Sequence, residues 1–327
     1  MYGYDIFHDD IMKNLIDAVH KGEASHAYLF VGPEGVGKSK AARLFSAALT
    51  CTSPDSAPCG VCHACVGTKS GTNPDVIYIR PEDKKTISVE QARKIVSDAY
   101  LKPFQSVRKV YIFEDASLLN EFAQNSLLKI LEEPPEYITF IILSTGETEL
   151  LQTVLSRCTS VSFPTVSDKR IEEYIRTAYP DSISDIKLLT ALSSGIPGEI
   201  DKIVADPDYS LLREESFKML APLMSGHKIS AYTVADFLEN HKDKADLILN
   251  LWQSFLRDIM FIKNSSLKLI INKDMQEELS SLAARISERH PIVALEQTIH
   301  SKMMLKRNVN LHALALNLSF SIKKRLY

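Results

Sequence analysis

With 327 residues, 45% of them hydrophobic and 24% charged, the chain has a globular composition and is too long for one ordinary core. A formal net charge of −3 excludes a polycation, so any nucleic-acid contact must come from a local patch or through partners. No apolar run reaches the roughly 18–20 residues needed to span a bilayer, and Met1–Asp5 lacks a signal-peptide pattern, so the expected setting is the cytoplasm, without a membrane partner.

Strands and helices alternate over the first 165 residues. Tyr28–Val31 is a short apolar strand that runs into a glycine-rich loop, and Lys40–Leu49 is helix-forming. Val76–Ile79, Lys109–Phe113, Ile138–Leu143 and Ser160–Phe163 read as further buried strands. Helical patterns lie between them at Val89–Leu101, behind a Ser88/Gln91 capping box, at Leu118–Glu132 and at Glu149–Leu155. This alternation predicts a mostly parallel sheet covered on both faces. After Pro164–Ser167 the chain reads as helical: Asp168–Ala178, Ile183–Ser193 and Gly198–Ala205, interrupted at Gly195–Gly198 and stopped at Asp206-Pro207. Longer amphipathic helices follow from about Leu211 to Leu326. The expected plan is α/β followed by all-α, with an α/β domain over 1–165, a small helical domain over 166–207 and a larger bundle over 208–327.

The segment from Gly32 to Ser39 meets the pattern G-x-x-x-x-G-K-S through Gly32, Gly37, Lys38 and Ser39, with Gly35 between. Its glycines let backbone N–H groups turn inward on a phosphate, Lys38 can reach the β/γ phosphates, and the Ser39 hydroxyl can ligate Mg²⁺. The pattern points to ATP or ADP with Mg²⁺ and says little about hydrolysis. Hydrolysis needs acidic groups at the end of a second strand, and Glu114 and Asp115 after Lys109–Phe113 are the candidates. Asp115 suits a helix N-cap as well.

Cys51, Cys59, Cys62 and Cys65 have the spacing C-x7-C-x2-C-x2-C. Four soft ligands with no spare position fit a closed, structural Zn²⁺ site, with an iron–sulfur cluster as the alternative. His63 lies inside the knuckle and could compete as a ligand, but four cysteines make it unnecessary. Between Cys51 and Cys65 there is no Lys, Arg, Phe, Tyr or Trp, which argues against a DNA-binding module. Arg157 sits at a helix end just before a strand. A guanidinium there can neutralise charge on a γ-phosphate, in cis or in trans, but on position alone an arginine at a helix end more often complements the helix dipole at the surface. Cys158 reads as a small apolar packing residue.

Taken together these words resemble bacterial DNA polymerase III clamp-loader subunits, of the AAA+ class. The matching stretches are Ser25–Phe30, the phosphate loop, the four-cysteine knuckle, Asn73-Pro74-Asp75, Asn125–Pro135 and Leu155–Cys158. They span most of the first 165 residues. The resemblance implies an AAA+ P-loop domain with an inserted zinc knuckle, a small helical lid and a C-terminal helical collar. It also implies that Arg157 is a trans arginine finger and that Thr145 is a polar sensor, although a strand-end threonine fits the latter position as well.

The gamma/tau motor subunits look like Asp-Glu at the acidic strand and carry a sensing arginine in the lid. Here Glu114-Asp115-Ala116 replaces the first, and the arginine position falls on Gly198. These departures, with Asn308-Val309-Asn310 ahead of the last helix, resemble the delta-prime branch, some of whose members have a degraded phosphate loop. The implied role is a subunit of a five-membered ring with gamma/tau and delta partners. That ring loads a sliding clamp onto primer–template DNA, and the chain's own ATPase is expected to be weak or absent. The alternative is a gamma/tau-type motor that hydrolyses ATP itself. Lys323-Lys324-Arg325 is expected to be a solvated helix end.

Overall fold

In the computed structural model the described residues are 7–82, 86–226, 230–305 and 309–323. The expectations for Met1–Asp5, Asn308, Lys324, Arg325 and Leu326 lie outside them. The chain divides into two compact units, one reaching Tyr174 and including Gly195–Gly198, the other comprising Ile175–Ser194 and the residues from Glu199 onward.

The first unit is built on five parallel strands: β1 (Ala27–Val31), β2 (Val76–Ile79), β3 (Lys109–Phe113), β4 (Ile138–Ser144) and β5 (Thr159–Ser162), in the order β2-β3-β4-β1-β5. Every residue of β3 and β4 is buried, the polar Lys109, Thr139 and Ser144 included, as in central strands covered on both faces. Tyr111 and Phe140 stack across the β3–β4 pair at 5.3 Å. Because β1 lies between β4 and β5, the loop that leaves it emerges beside the carboxyl ends of both, where open α/β sheets bind ligands.

Around the sheet lie α1 (Asp9–His20), α2 (Lys38–Leu49), α3 (His63–Ser70), α4 (Val89–Ala99), α5 (Glu121–Glu132) and α6 (Gln152–Leu155). Several boundaries differ from the sequence expectation, each for a local reason. The helix expected from Leu118 starts at Glu121, because the Asn120 side chain accepts from the Ala123 N–H and caps it there. The helix expected from Glu149 starts at Gln152, and Glu147–Glu149 forms a 3-10 turn. Ser88 caps α4 as expected, but the Gln91 side chain donates to the Arg80 carbonyl at 2.6 Å instead of closing the box. The last strand, expected to be buried, is a mostly exposed edge, and Phe163 just beyond it is buried. Both α1 and α3 go beyond the sequence reading. Cys65 and the small residues Ala64, Gly67 and Thr68 occupy the inner face of α3, so it carries no apolar stripe.

The unit boundary falls within α7 (Asp168–Ala178). The second unit continues with α8 (Ile186–Ser193), which begins later than the expected Ile183 because Pro180–Asp185 is 3-10. Then come α9 (Pro197–Ala205), whose first two residues belong to the first unit, α10 (Tyr209–Ser225), α11 (Ala231–Asn240), α12 (Ala245–Lys263), α13 (Gln276–Arg285), α14 (Arg289–Leu305) and α15 (Leu311–Lys323). The centre is α12, which packs on α10, α13 and α14 and buries Trp252 and Phe255 completely. The Trp252 indole donates to the Ser216 carbonyl at 2.9 Å, so its polar edge is satisfied inside the core. Asn310 caps α15 through the Ala313 N–H. Among the described residues no helix is long and apolar enough to cross a membrane.

Candidate functional site

Gly32 to Ser39 turn from β1 into α2. Gly35 and Gly37 adopt φ of +78° and +113°, a backbone region that side chains disfavour, so glycine is required at both. Gly37 precedes α2 without a capping side chain, which leaves the first helical N–H groups directed into the loop. The Gly32 N–H donates to the Ser144 carbonyl at 3.1 Å, tying the start of the loop to the end of β4. Lys38 is buried, and its ammonium donates to the carbonyls of Gly32 and Pro33. Burial lowers its pKa, opposed by the negative charges of Glu149, Glu34 and Asp115. Ser39 is exposed on the first turn of α2. Gly32, Gly35, Gly37, Lys38 and Ser39 are therefore brought together by one turn.

The acidic pair is engaged elsewhere. Glu114 forms a two-pronged ion pair with Arg80 at the end of β2, one arm at 2.9 Å. Asp115 caps the 3-10 turn Ala116–Leu118, accepting from the Ser117 N–H at 2.9 Å and its hydroxyl at 2.7 Å. The helix-cap alternative for Asp115 is thus the arrangement seen. Thr145 donates through both its N–H and its hydroxyl to Glu149, as does the Ser144 hydroxyl. Glu149 is a residue that sequence reasoning missed. The available signal was a Ser-Thr pair at a strand end with a carboxylate four residues on.

At Gly198, where the motor subunits were expected to carry arginine, the N–H donates to the Gly35 carbonyl at 3.0 Å. A Cβ on Gly198 would lie 2.8 Å from the Gly35 Cα, so no side chain fits there without moving the phosphate loop. A cavity of about 330 Å³, lined by Phe7, His8, Pro164, Val166 and Arg170 among others, adjoins the loop. His8 links the two, its ring nitrogen 3.2 Å from the Val36 carbonyl, and burial lowers its pKa so that the ring is neutral at pH 7. This side of the site also escaped the sequence reading.

The four cysteines converge. Their sulfurs all lie within 4.8 Å of one another, and those of Cys51 and Cys62 are 3.9 Å apart. A tetrahedron with Zn–S bonds near 2.3 Å has sulfur edges of about 3.8 Å, so the cluster can hold a metal ion. Backbone N–H groups of Cys59, Cys62 and Cys65 donate to the sulfurs of Cys51, Cys59 and Cys62, each at 3.4 Å. Burial opposes ionisation of Cys62, but donors from Thr52 and Cys65 outweigh it and bring its pKa down to about 6. His63 is exposed and is not one of the four grouped ligands. Cys51 follows α2 and Cys65 lies on α3, so the cluster joins the helix that carries Lys38 to its neighbour.

Arg157 follows α6 and precedes the edge strand β5. Its guanidinium donates to the Thr153 carbonyl at 2.7 Å and pairs with Glu132, with its side chain one-third exposed. None of these partners belongs to the phosphate loop. Cys158 packs into the sheet core, and burial pushes its thiol up to about 11.

The parallel sheet, with a phosphate-loop motif between β1 and α2, and the helical C-terminal part define an α/β protein of the P-loop type followed by helices. Family models described as DNA polymerase III, delta subunit, and DNA polymerase III, delta subunit, C terminal, match residues 7–167 and 211–318. DNA polymerase III subunit delta' of Bacillus subtilis is 26% identical over 93% of this chain and 92% of its own length. Subunit delta' of Pseudomonas aeruginosa is 36% identical over 54% of this chain and 55% of its own. The tau subunit of Bacillus subtilis is 37% identical over 70% of this chain, which spans only 36% of that protein. A gamma subunit-related protein of Thermotoga maritima superposes over 97% of this chain and 100% of its own, with 16% identity and a TM-score of 0.45. The chain belongs to the DNA polymerase III delta-subunit family, as a delta-prime-like clamp-loader protein.

Proposed function

We infer that this clamp-loader subunit makes its catalytic contribution at a neighbour's ATP site, with Arg157 as a trans arginine finger. The observation that carries this is the contrast between Arg157 and the acidic pair. Arg157 sits part-exposed beside the edge strand β5, held by a pair with exposed Glu132. Such surface pairs contribute little and are readily exchanged for a phosphate. Glu114 and Asp115, by contrast, are tied to Arg80 and Ser117.

In this reading Cys51, Cys59, Cys62 and Cys65 hold a structural Zn²⁺. The loop at Gly32, Gly35, Gly37, Lys38 and Ser39 binds ATP or ADP with Mg²⁺ without efficient turnover, and Thr145 is the sensor position. Residues 1–165, 166–207 and 208–327 act as AAA+ domain, lid and oligomerisation collar. The partners are gamma/tau and delta subunits in a five-membered ring, with the sliding clamp and primer–template DNA engaged through the complex in the bacterial cytoplasm. The intact phosphate loop favours one other reading, a gamma/tau-type motor. Nucleotide binding and turnover by the isolated chain separate the two. Binding without turnover is expected, and brisk turnover abolished by Lys38→Ala would establish the motor instead.

A further inference from the structure

A phosphate-loop site that uses Mg²⁺ needs a carboxylate facing the loop; of the two expected here, Glu114 is turned away and Asp115, whose charge also reaches Lys38, is spent on capping Ser117. Glu114 ends β3, which is separated from the loop-bearing strand β1 by β4. Its carboxylate is directed to Arg80, at the end of β2, one strand further still. Neighbouring strands are about 4.8 Å apart, so this pairing draws the charge away from Ser39 and Lys38.

Glu149 has the opposite placement. It follows β4, the immediate neighbour of β1, and the Thr145 N–H and hydroxyl fix its carboxylate, with the single Ser144 hydroxyl proton shared between Glu149 and the Gly146 carbonyl. The same Ser144 accepts the Gly32 N–H through its carbonyl. One residue therefore anchors both the start of the phosphate loop and the side chain of Glu149. The negative charge of Glu149 acts on Lys38. The residues present thus fit a Mg²⁺–nucleotide: Ser39 supplies a hydroxyl, Lys38 a phosphate cation, and Glu149 a fixed negative charge.

We propose that Glu149, and not Glu114, is the carboxylate that serves the Mg²⁺ of a nucleotide held by this loop. The proposal rests on the nucleotide-binding reading of Gly32–Ser39. When bound, Mg²⁺ would offset phosphate charge, and Glu149 would orient its water ligands while the Ser144 and Thr145 hydroxyls hold the carboxylate in place. Without Mg²⁺ the same carboxylate repels the phosphates, so its removal should have opposite effects in the two conditions.

The test is the affinity of the full chain for fluorescent ADP, measured in Mg²⁺ and in EDTA, for the wild type, Glu149→Gln and Glu114→Gln. Loss of one charge-assisted contact predicts that Glu149→Gln weakens ADP binding in Mg²⁺ by about tenfold. In EDTA the same variant should bind ADP as well as or better than the wild type. Glu114→Gln should match the wild type in both buffers. Misfolding cannot produce this split, since it would weaken binding in both. Equal loss in both buffers, an undiminished Mg²⁺ effect in Glu149→Gln, or its loss in Glu114→Gln would each overturn the proposal. A wild-type chain that binds ADP in neither buffer would instead remove the nucleotide-binding reading beneath it.

Discussion

Lys38 and Arg157 are both cations suited to a phosphate, and the fold treats them in opposite ways. Lys38 is 8% exposed and donates to two carbonyls of its own loop, between a glycine turn and the end of β4. Arg157 lies at the end of a four-residue helix beside the sheet edge, paired with a surface glutamate. In the proposed reading, the first arrangement serves a ligand that this chain encloses. The second leaves a guanidinium where another molecule's phosphate can replace a weak partner. A single chain can therefore carry an intact phosphate loop and still act chemically outside it.

The largest effect should come from Arg157→Ala. An arginine finger contributes about 10³–10⁵ in rate at the site it serves, so DNA-stimulated turnover there should collapse while assembly, read by gel filtration, is unchanged.

Metal removal should come next and should fall on the other side of the comparison. The cysteine cluster joins α2 to α3, and α2 carries Lys38 and Ser39. Chelation, or Cys62→Ser with Cys65→Ser, should lower the melting temperature and weaken ADP binding. Structural Zn²⁺ contributes folding free energy directly, so a loss of several kcal/mol is expected. Unchanged melting after verified metal loss would show that the cluster is not structural.

The smallest effect tests the lid. Gly198→Arg restores the residue type expected of motor subunits, yet a Cβ there meets the Gly35 Cα at 2.8 Å. The variant should lose roughly tenfold in ADP affinity, about 1.4 kcal/mol, and gain no ATPase activity. A gain of turnover would mean that the absent arginine alone silences the site.

Much of this was legible in the sequence because it is local. The apolar runs Val76–Ile79 and Lys109–Phe113 have the observed strand limits, and the phosphate loop and cysteine spacing are contiguous words. What escaped depends on contacts between distant residues. Arg80 and Glu114 lie 34 positions apart, and nothing in either neighbourhood announces their pairing. Gly198 was readable as a missing arginine, but its bond to Gly35 spans two segments that only the fold brings together. Glu149 read as the first residue of a helix. Its carboxylate instead turns back onto Thr145, and the helix begins three residues later.

Whether this chain supplies catalysis outward is decided by two variants in one assembly. Arg157→Ala and Lys38→Ala should be compared in the same reconstituted complex with motor subunits, delta, clamp and primed DNA, reading ATP turnover. Turnover should collapse at the site adjoining Arg157→Ala and stay near the wild-type level with Lys38→Ala. Near-normal turnover with Arg157→Ala and a large loss with Lys38→Ala would show that this chain hydrolyses ATP at its own loop.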